Sequence, residues 1–311
     1  MIESQYAQSD LWKQINQTAL SEVALRDLCD FKSNRVNFRI ALWDPQTNGM
    51  RYLKTLLYVL ASNTSEVNWR RLKKVNNRHI GQPITVTVAG EAVCMDYLQA
   101  VHELDFVESR LSLDAARILE IGAGYGRTCH TFLSASSVAQ YTIVDLENCL
   151  HLSREYLRAV LDPSSFSKVR FLPAQELPSL ASEGFDLGIN IDSFAEMDLS
   201  VVKAYLEFIR THCDFVYVKN PTGKYLNKSL DNHSQGEGAV QLALSMGPLH
   251  DIIEIFDSQS VHQQVSNFLR AYQPGPEWTC LADGWALPWS YYWQALYKGA
   301  RLSQDGITLI A

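Results

Sequence analysis

The sequence predicts an α/β fold in which a largely parallel sheet follows a helical region. From Ala116 onward, short segments rich in β-branched residues alternate with helical ones. Such alternation is typical of a parallel sheet that is covered by helices on both faces. Before residue 115, the apolar residues recur mainly at helical spacings instead. We therefore predict an N-terminal helical region over residues 1–110 and an α/β domain over residues 111–311.

Two segments predict helices in the N-terminal region. One has apolar residues at spacings of four, four and three, which share one helix face: Val93, Tyr97, Val101 and Leu104. The other, RYLKTLLYVLAS from Arg51, consists largely of good helix formers. Between the two, GQPITVTVAG predicts a turn followed by a short alternating stretch.

The α/β domain contains five predicted inner strands and an edge pair. The inner strands are RILEI, YTIV, VRFL, FDLGINI and FVYVKN. A helix from Leu150 to Leu161 is ended by Asp162-Pro163. Another helix has its apolar face at Val202, Tyr205, Leu206 and Ile209. After Pro221, DIIEIFD and YYWQALYK are predicted to be the last two strands, paired antiparallel at one edge of the sheet.

The composition excludes several classes of protein. With 27 basic and 34 acidic residues, the net charge is -7, which argues against a broad surface for nucleic acid or anionic membrane. The N-terminal MIESQYAQSDLWKQ lacks the basic and apolar pattern of a secretory signal, and no apolar run reaches the length of a membrane span. We therefore predict a cytoplasmic protein. The six scattered cysteines form no C-x-x-C pair, so they suggest neither a zinc site nor a disulfide framework.

The segment ILEIGAGYGR links a predicted strand to a predicted helix through three glycines. Gly122, Gly124 and Gly126 follow a G-x-G-x-G spacing, whereas the dinucleotide fingerprint is G-x-G-x-x-G. The loop also lacks the G-K-[ST] of a phosphate-binding loop. Glu120 just before the loop favours a cationic ligand end, and Asp145 at the next strand end is placed to accept two ribose hydroxyls. These features favour S-adenosylmethionine, which carries an ammonium and a sulfonium.

Three segments carry a family resemblance. ILEIGAGYGRTCHTFL, YTIVDLENCLHLSREYL and FDLGINIDSFAEMDLSVVKAYLEFI resemble class I S-adenosylmethionine-dependent methyltransferases, and more narrowly the sugar O-methyltransferases of antibiotic and surface-polysaccharide pathways. The resemblance covers about residues 91–225 and implies a Rossmann-like, seven-stranded sheet, mostly parallel, with an antiparallel edge hairpin. It places Glu120, Gly122, Gly124 and Asp145 at the cofactor. We predict further cofactor contacts from Ala123, Tyr125, Leu146, Gln175 and Asn190.

A sugar hydroxyl is unionised at neutral pH, so its methylation needs a general base or a metal that lowers its pKa. Asp192 and Glu196, four residues apart after the fourth strand, are candidate bases that would share a face if the chain turns helical there. Alternatively, Asp192 caps the turn and Glu196 is solvated. His233 is the other candidate base. No residue spacing indicates a divalent metal, so any metal ligands stay unknown.

Two further segments are candidates for acceptor binding. Asn220 and Lys224 would bind acceptor hydroxyls or a phosphate, unless they belong to a plain surface loop. The aromatic run WALPWSYYWQALY would stack on a sugar, unless it belongs to the core.

The resulting prediction is an O-methyltransferase that uses S-adenosylmethionine and acts on a sugar hydroxyl of a nucleotide-sugar, a glycoside or a polysaccharide precursor. The N-terminal region would form an acceptor lid or a subunit contact in a homo-oligomer. Two alternatives stay open: methylation of a non-sugar hydroxyl or amine, and a non-catalytic S-adenosylmethionine-binding partner protein.

Overall fold

The computed structural model describes residues 9–18, 43–300 and 308–310, and the chain divides into two compact units. The first unit ends at Val59 and contains helix α1 (Asp10–Thr18) and most of helix α2 (Pro45–Ser62). Helix α2 confirms the helix predicted from RYLKTLLYVLAS. The second unit begins at Leu60. The functional boundary predicted at residue 110 stays a prediction.

The second unit opens with two helices on either side of a β-hairpin. Helix α3 (Glu66–Lys74) is followed by strands β1 (Thr85–Val88) and β2 (Glu91–Cys94) and by helix α4 (Met95–Glu108). The hairpin turns at Ala89 and Gly90, which both have positive φ, as a tight two-residue turn requires. Val93 therefore lies in a strand, whereas Tyr97, Val101 and Leu104 lie on α4, and all four are buried.

The main sheet has seven strands in the order β5-β4-β3-β6-β7-β9-β8. Five neighbouring strands are parallel, and β9 lies antiparallel between β7 and β8. This confirms the predicted Rossmann-like sheet with its antiparallel edge hairpin. The strands are β3 (Arg117–Ile121), β4 (Gln140–Asp145), β5 (Val169–Pro173), β6 (Phe185–Ile191), β7 (Cys213–Pro221), β8 (Thr279–Trp285) and β9 (Tyr292–Lys298).

Helices connect the strands and cover the sheet. They are α5 (Arg127–Ala135), α6 (Glu147–Val160), α7 (Pro163–Phe166), α8 (Leu199–His212), α9 (Lys228–Asp231), α10 (Glu237–Ser245) and α11 (Ser258–Ala271). Within the described ranges, no helix is long and apolar enough to cross a membrane.

The predicted strand DIIEIFD is wrong, because β8 is the strand that pairs with β9. The Lys224 N–H donates to the Asp251 carbonyl at 2.8 Å, and the Ile253 N–H donates to the Lys224 carbonyl at 2.8 Å. The segment therefore pairs with the loop after β7 and not with the sheet. It ends at Asp257, whose carboxylate caps α11 by accepting the Gln259 N–H at 3.1 Å.

Two apolar clusters lie on opposite faces of the sheet. Residues of β3 alternate between them: Ile118 packs with α5 and α6, whereas Leu119 packs with α8 and α11. The predicted apolar face of α8 is buried in the second cluster. Because parallel strands share one carboxyl edge, the loops after β3, β4, β6 and β7 lie close together, and ligands of such sheets bind at this edge.

Candidate functional site

The glycine loop after β3 has a backbone that only glycine adopts without strain. Gly122, Gly124 and Gly126 have φ of 75°, 58° and 93°, all in the left-handed region. A Cβ on Gly122 would lie 2.1 Å from the Ser193 Oγ, so any side chain there would clash with the loop after β6. At Gly124, by contrast, no atom lies within 4 Å of a Cβ position. The loop is thus tightly packed on one side and open at Gly124.

Asp145 ties this loop to the end of β4. Its Oδ2 accepts the Gly124 N–H at 2.9 Å, and its Oδ1 accepts the Leu146 N–H at 2.7 Å. Each carboxylate oxygen has a second lone pair, so Asp145 can accept further donors from outside the chain. The fold therefore brings Gly124, Asp145 and the exposed Leu146 together, and their predicted contacts with a cofactor stay predictions.

Glu120 lies beneath the loop with only 2% of its surface exposed. Burial raises the pKa of Glu120 to about 7, although a hydrogen bond from the Tyr141 hydroxyl opposes this shift. That hydroxyl donates to the Glu120 Oε2 at 2.8 Å. The carboxyl is almost closed to solvent. Its predicted contact with a cationic ligand end stays a prediction.

Asn190, at the end of β6, is fully buried and joins three strand ends. Its Nδ2 donates to the Ile121 carbonyl at 3.1 Å and to the Ser193 Oγ at 2.7 Å. Its Oδ1 accepts from the Asn220 Nδ2 at 3.0 Å. The Asn220 Oδ1 is buried and has no hydrogen-bond partner among the described residues. Buried acceptors are normally satisfied, so this atom is one that a bound donor could satisfy.

The other predicted cofactor residues lie in different surroundings. Ala123 is half-buried within the loop, and the Tyr125 hydroxyl donates to the Asp96 Oδ2 at 3.0 Å. Gln175 is exposed after β5 and lines a cavity of about 600 Å³ beside α8, together with Leu177 and Tyr205. The candidate bases do not line that cavity.

A cavity of about 560 Å³ lies beyond the ends of β6 and β7 and contains all three candidate bases. Asp192, Glu196 and His233 line it together. Lys224 and two tyrosines of the aromatic run, Tyr291 and Tyr292, also contribute to its wall, although Asn220 does not. The three residues proposed as bases from the sequence therefore line one cavity, and their catalytic role stays a prediction.

Asp192 is fixed by contacts with two neighbouring strands. It has a φ of 69°, and its N–H donates to the Lys219 carbonyl at 2.8 Å. Its Oδ1 accepts from the Tyr292 hydroxyl at 2.7 Å. The chain then forms a single 3₁₀ turn (Ser193–Glu196), so the helix that would carry Asp192 and Glu196 on one face is absent from this segment. The Asp192 side chain does not cap the turn.

Glu196 and Lys224 influence each other across the cavity. Partial desolvation and the charge of Asp192 raise the pKa of Glu196, while Lys224 opposes the shift. Desolvation lowers the pKa of Lys224, although the negative charges of Glu196 and Asp192 oppose this shift. The Lys224 Nζ donates to the Ala195 carbonyl at 3.1 Å. A carboxylate with a raised pKa is a better proton acceptor than an ordinary one near neutral pH, as a general base requires.

His233, the third candidate, is held by the neighbouring Asp231. Its backbone N–H donates to the Asp231 Oδ1 at 2.9 Å, and its ring Nε2 lies 3.7 Å from the same oxygen. The side chain is half-buried in the cavity wall. His233 therefore lines the site beside the carboxylate of Asp231.

A buried ionic cluster behind the site was not predicted. Glu103 of α4 contacts the Arg127 guanidinium at 3.0 Å and 3.1 Å and accepts from the Lys219 Nζ at 2.8 Å. Glu103 and Lys219 are each only 2% exposed. Burial alone would raise the pKa of Glu103, but the two cations together hold it below its ordinary value. The sequence signal that could have pointed to it is the lysine near the end of the apolar strand β7.

Among the described residues, no group of three or more histidine, cysteine, aspartate or glutamate side chains is arranged to hold a metal ion. The metal ligands, unknown from the sequence, are therefore not assigned to any residues.

Several solved methyltransferases have a similar fold. The mitomycin 7-O-methyltransferase MmcR shares 14% identity over 91% of this chain and 76% of its own, with a TM-score of 0.44. The glycopeptide N-methyltransferase MtfA, solved with S-adenosylmethionine, shares 12% identity over 65% and 87%, with a TM-score of 0.43. The methyltransferase domain of bacterial CtHen1-CN shares 16% over 65% and 97%, with a TM-score of 0.42. At this level of similarity, none of them assigns a ligand to this chain.

No protein-family model matches the chain, and no curated protein does. The narrower resemblance to sugar O-methyltransferases therefore stays a prediction.

Proposed function

We propose that this protein is an S-adenosylmethionine-dependent O-methyltransferase that methylates a sugar hydroxyl. One observation carries the proposal: a single cavity collects Asp192, Glu196 and His233 at the strand ends beside the glycine loop. The two parts are linked through Ser193, which follows Asp192 in the chain and packs against Gly122. A methyl donor on the glycine loop and an acceptor in the cavity would thus be neighbours, and alignment of the two is the main requirement of methyl transfer.

The residues at the glycine loop fit S-adenosylmethionine. Gly124 faces open space, and Asp145 retains lone pairs for the two ribose hydroxyls. The buried Asn220 Oδ1 offers an acceptor that no described residue uses. When bound, the cofactor supplies an activated methyl group. The chain itself has to hold the acceptor and receive its proton.

We assign proton removal to Glu196, with Asp192 as a positioning acceptor. The Asp192 carboxylate already accepts the Tyr292 hydroxyl, whereas no described residue donates a hydrogen bond to Glu196. Glu196 is therefore free to accept the hydroxyl proton, and its raised pKa favours that transfer. Lys224 stands near enough to stabilise the ionised carboxylate before the acceptor binds. His233 is the base if Glu196 proves dispensable.

The test is methyl transfer from labelled S-adenosylmethionine to a panel of sugars, phenols and amines, with cofactor affinity measured separately by calorimetry. We expect sugar methylation that falls about 10²–10⁴-fold in Glu196→Gln, with cofactor affinity retained. Glu237→Gln is the matched control, because this exposed glutamate belongs to α10 but does not line the cavity. Methylation of phenols or amines alone would refute the sugar assignment. Cofactor binding without any transfer would indicate a non-catalytic binding protein.

A further inference from the structure

The cavity that contains Glu196 has one polar and one apolar wall. Asp192, Glu196, Lys224, Asp231 and His233 contribute charged or titratable groups from the segments that follow β6 and β7. The apolar part of the lining comes mainly from α10 and the residue after it: Ala239, Val240, Leu242, Ala243, Leu244 and Met246. A sugar alone would leave the second wall without a matching surface.

Helix α10 has an apolar sequence, EGAVQLALS, yet none of its residues is buried. Leu242 lines the cavity and is 61% exposed. Amphipathic helices normally bury their apolar side against the core, and contiguous exposed apolar surface marks a binding site. Because the apolar side chains of α10 line the cavity, an apolar part of a ligand would cover them.

The size of the cavity agrees with a composite ligand. Its volume of about 560 Å³ lies within the range of about 300–1,000 Å³ that is usual for sites of drug-sized ligands. A single sugar ring would occupy the polar end and leave the α10 wall in contact with water. The acceptor therefore extends beyond its sugar.

The charges disfavour a nucleotide-sugar. Three carboxylates line the cavity, those of Asp192, Glu196 and Asp231. The basic residues in its lining are one lysine, Lys224, and His233, which lies beside Asp231. Diphosphates are recognised by clustered cations and backbone N–H groups, and like charges brought together without such partners cost binding energy. A diphosphate in this cavity would face more negative charge than positive.

We infer that the acceptor is a sugar already attached to an apolar group and carrying no diphosphate. This inference rests on the proposed sugar methylation and specifies the substrate class of the same site. The sugar hydroxyl lies at the polar wall, near Glu196 and Asp192, and the apolar group covers the α10 wall. Methylation would then follow glycosyl transfer, since the reaction that attaches the sugar must come first.

The experiment compares the same hexose in three forms: the methyl glycoside, the octyl glycoside below its micelle-forming concentration, and the uridine diphosphate sugar. Methyl transfer is measured as kcat/KM for glucose, galactose, mannose and N-acetylglucosamine. Binding of each form is measured by calorimetry with the demethylated cofactor present. We expect kcat/KM for the octyl form to exceed that for the methyl form at least about tenfold, which is the discrimination that one buried methylene supplies in an apolar pocket. We expect kcat/KM for the diphosphate form to be lower than that for the methyl form.

Leu242→Asn tests the apolar wall directly. It should reduce the octyl-to-methyl ratio to near one, both in binding and in kcat/KM. Leu152→Asn is the matched control, because Leu152 lies on α6, is 56% exposed and does not line the cavity. The control should leave the ratio as it is in the unaltered protein.

The outcomes separate the inference from the proposed function. A preference for the diphosphate form, or equal use of the octyl and methyl forms, would overturn the inference while sugar methylation stands. An octyl preference that survives Leu242→Asn would also overturn it, since the apolar group would lie elsewhere. Cofactor binding without transfer to any form of any sugar would overturn the proposed function and the inference together.

Discussion

Replacing Glu103 by glutamine tests the buried ionic cluster. The change keeps the size of the side chain but removes its charge, so Arg127 and Lys219 would lose their common counterion. Lys219 is only 2% exposed, and the Arg127 side chain is 15% exposed. Neither cation can recover full hydration without moving. The variant therefore leaves two charges largely desolvated and without the carboxylate that contacts both of them.

The expected loss of stability is large. Breaking a buried ion pair by removing one partner costs about 3–5 kcal/mol, because the remaining charge is left uncompensated. The glutamine oxygen can still accept one hydrogen bond from Lys219 or Arg127, so we expect a value near the lower limit, about 3 kcal/mol. At roughly 2 °C per kcal/mol for a large domain, the melting temperature should fall by about 6 °C.

Chemical denaturation of Glu103→Gln would be compared with Glu155→Gln. Glu155 pairs with Arg158 on the surface, and both side chains are more than half exposed. Such exposed pairs contribute about 0–1 kcal/mol, so the control should change little. Adding Lys219→Met to Glu103→Gln removes one unpaired cation and should restore about 1 kcal/mol. Equal effects of the two glutamine variants would refute a role for buried charge, and so would a further loss in the double variant.

The unaltered protein and Glu103→Gln should also differ in how their free energy of unfolding depends on pH. The pKa of Glu103 lies below its ordinary value of 4.5 in the folded state. Its charged form therefore stabilises the fold above that value, and the contribution is lost as the pH falls through the lower, folded-state pKa. The difference in unfolding free energy between the unaltered protein and Glu103→Gln should be constant from pH 7 to about 5 and shrink in more acidic buffer. A constant difference at all pH values would contradict the ionic explanation.

Three further predictions concern the two halves of the site. Asp145→Ala should weaken S-adenosylmethionine binding by about 1.5–3 kcal/mol in calorimetry, and unchanged affinity would exclude the ribose contact. Gly122→Ala should lose both cofactor binding and stability, because its Cβ would meet Ser193. Gly124→Ala has open space around its Cβ, so the backbone strain alone should lower the free energy of unfolding by about 1 kcal/mol. If Glu196 is the base, kcat/KM should rise with pH around a pKa above 4.5, since this pKa is raised, and Glu196→Gln should abolish that rise.

The inner strands and the glycine loop could be predicted because their signals are local. RILEI, FDLGINI and FVYVKN are mainly apolar runs of the kind that forms the inner strands of a parallel sheet. The spacing of Gly122, Gly124 and Gly126 indicates a strand-to-helix loop, and all three glycines adopt positive φ. The position of Asp145 beside this loop was predictable because it ends the adjacent strand, whose carboxyl end shares the same edge of the sheet.

The edge of the sheet was predicted less well. DIIEIFD has the β-branched and aromatic residues typical of a strand, whereas TCLADGW contains an aspartate, a glycine and a register shift after Cys280. An edge strand such as β8 is paired on one side only, so it tolerates these residues. The pairing of Lys224 with Asp251 and Ile253, which draws DIIEIFD away from the sheet, depends on contacts far apart in the chain.

The composition of the cavity could not be predicted either. EGAVQLALS has the composition of a buried helix, and only its position reveals that its apolar side chains line a cavity. Likewise, Glu103, Arg127 and Lys219 lie on three separate elements, and their spacing in the sequence gives no sign that they meet. Tertiary contacts of this kind leave no periodic pattern.

The ionic cluster and the site are connected through the backbone. Arg127 is the first residue of α5 and directly follows Gly126 of the glycine loop, while the Lys219 carbonyl accepts the Asp192 N–H at 2.8 Å. Glu103 contacts both cations, so one buried carboxylate links the glycine loop to the strand that holds Asp192. Methyl transfer depends on the alignment of two ligands, and a small displacement can slow a reaction greatly. For the proposed methyl transfer, a common anchor behind both loops suits that requirement better than separate supports, because a displacement of the anchor would move both ligands together.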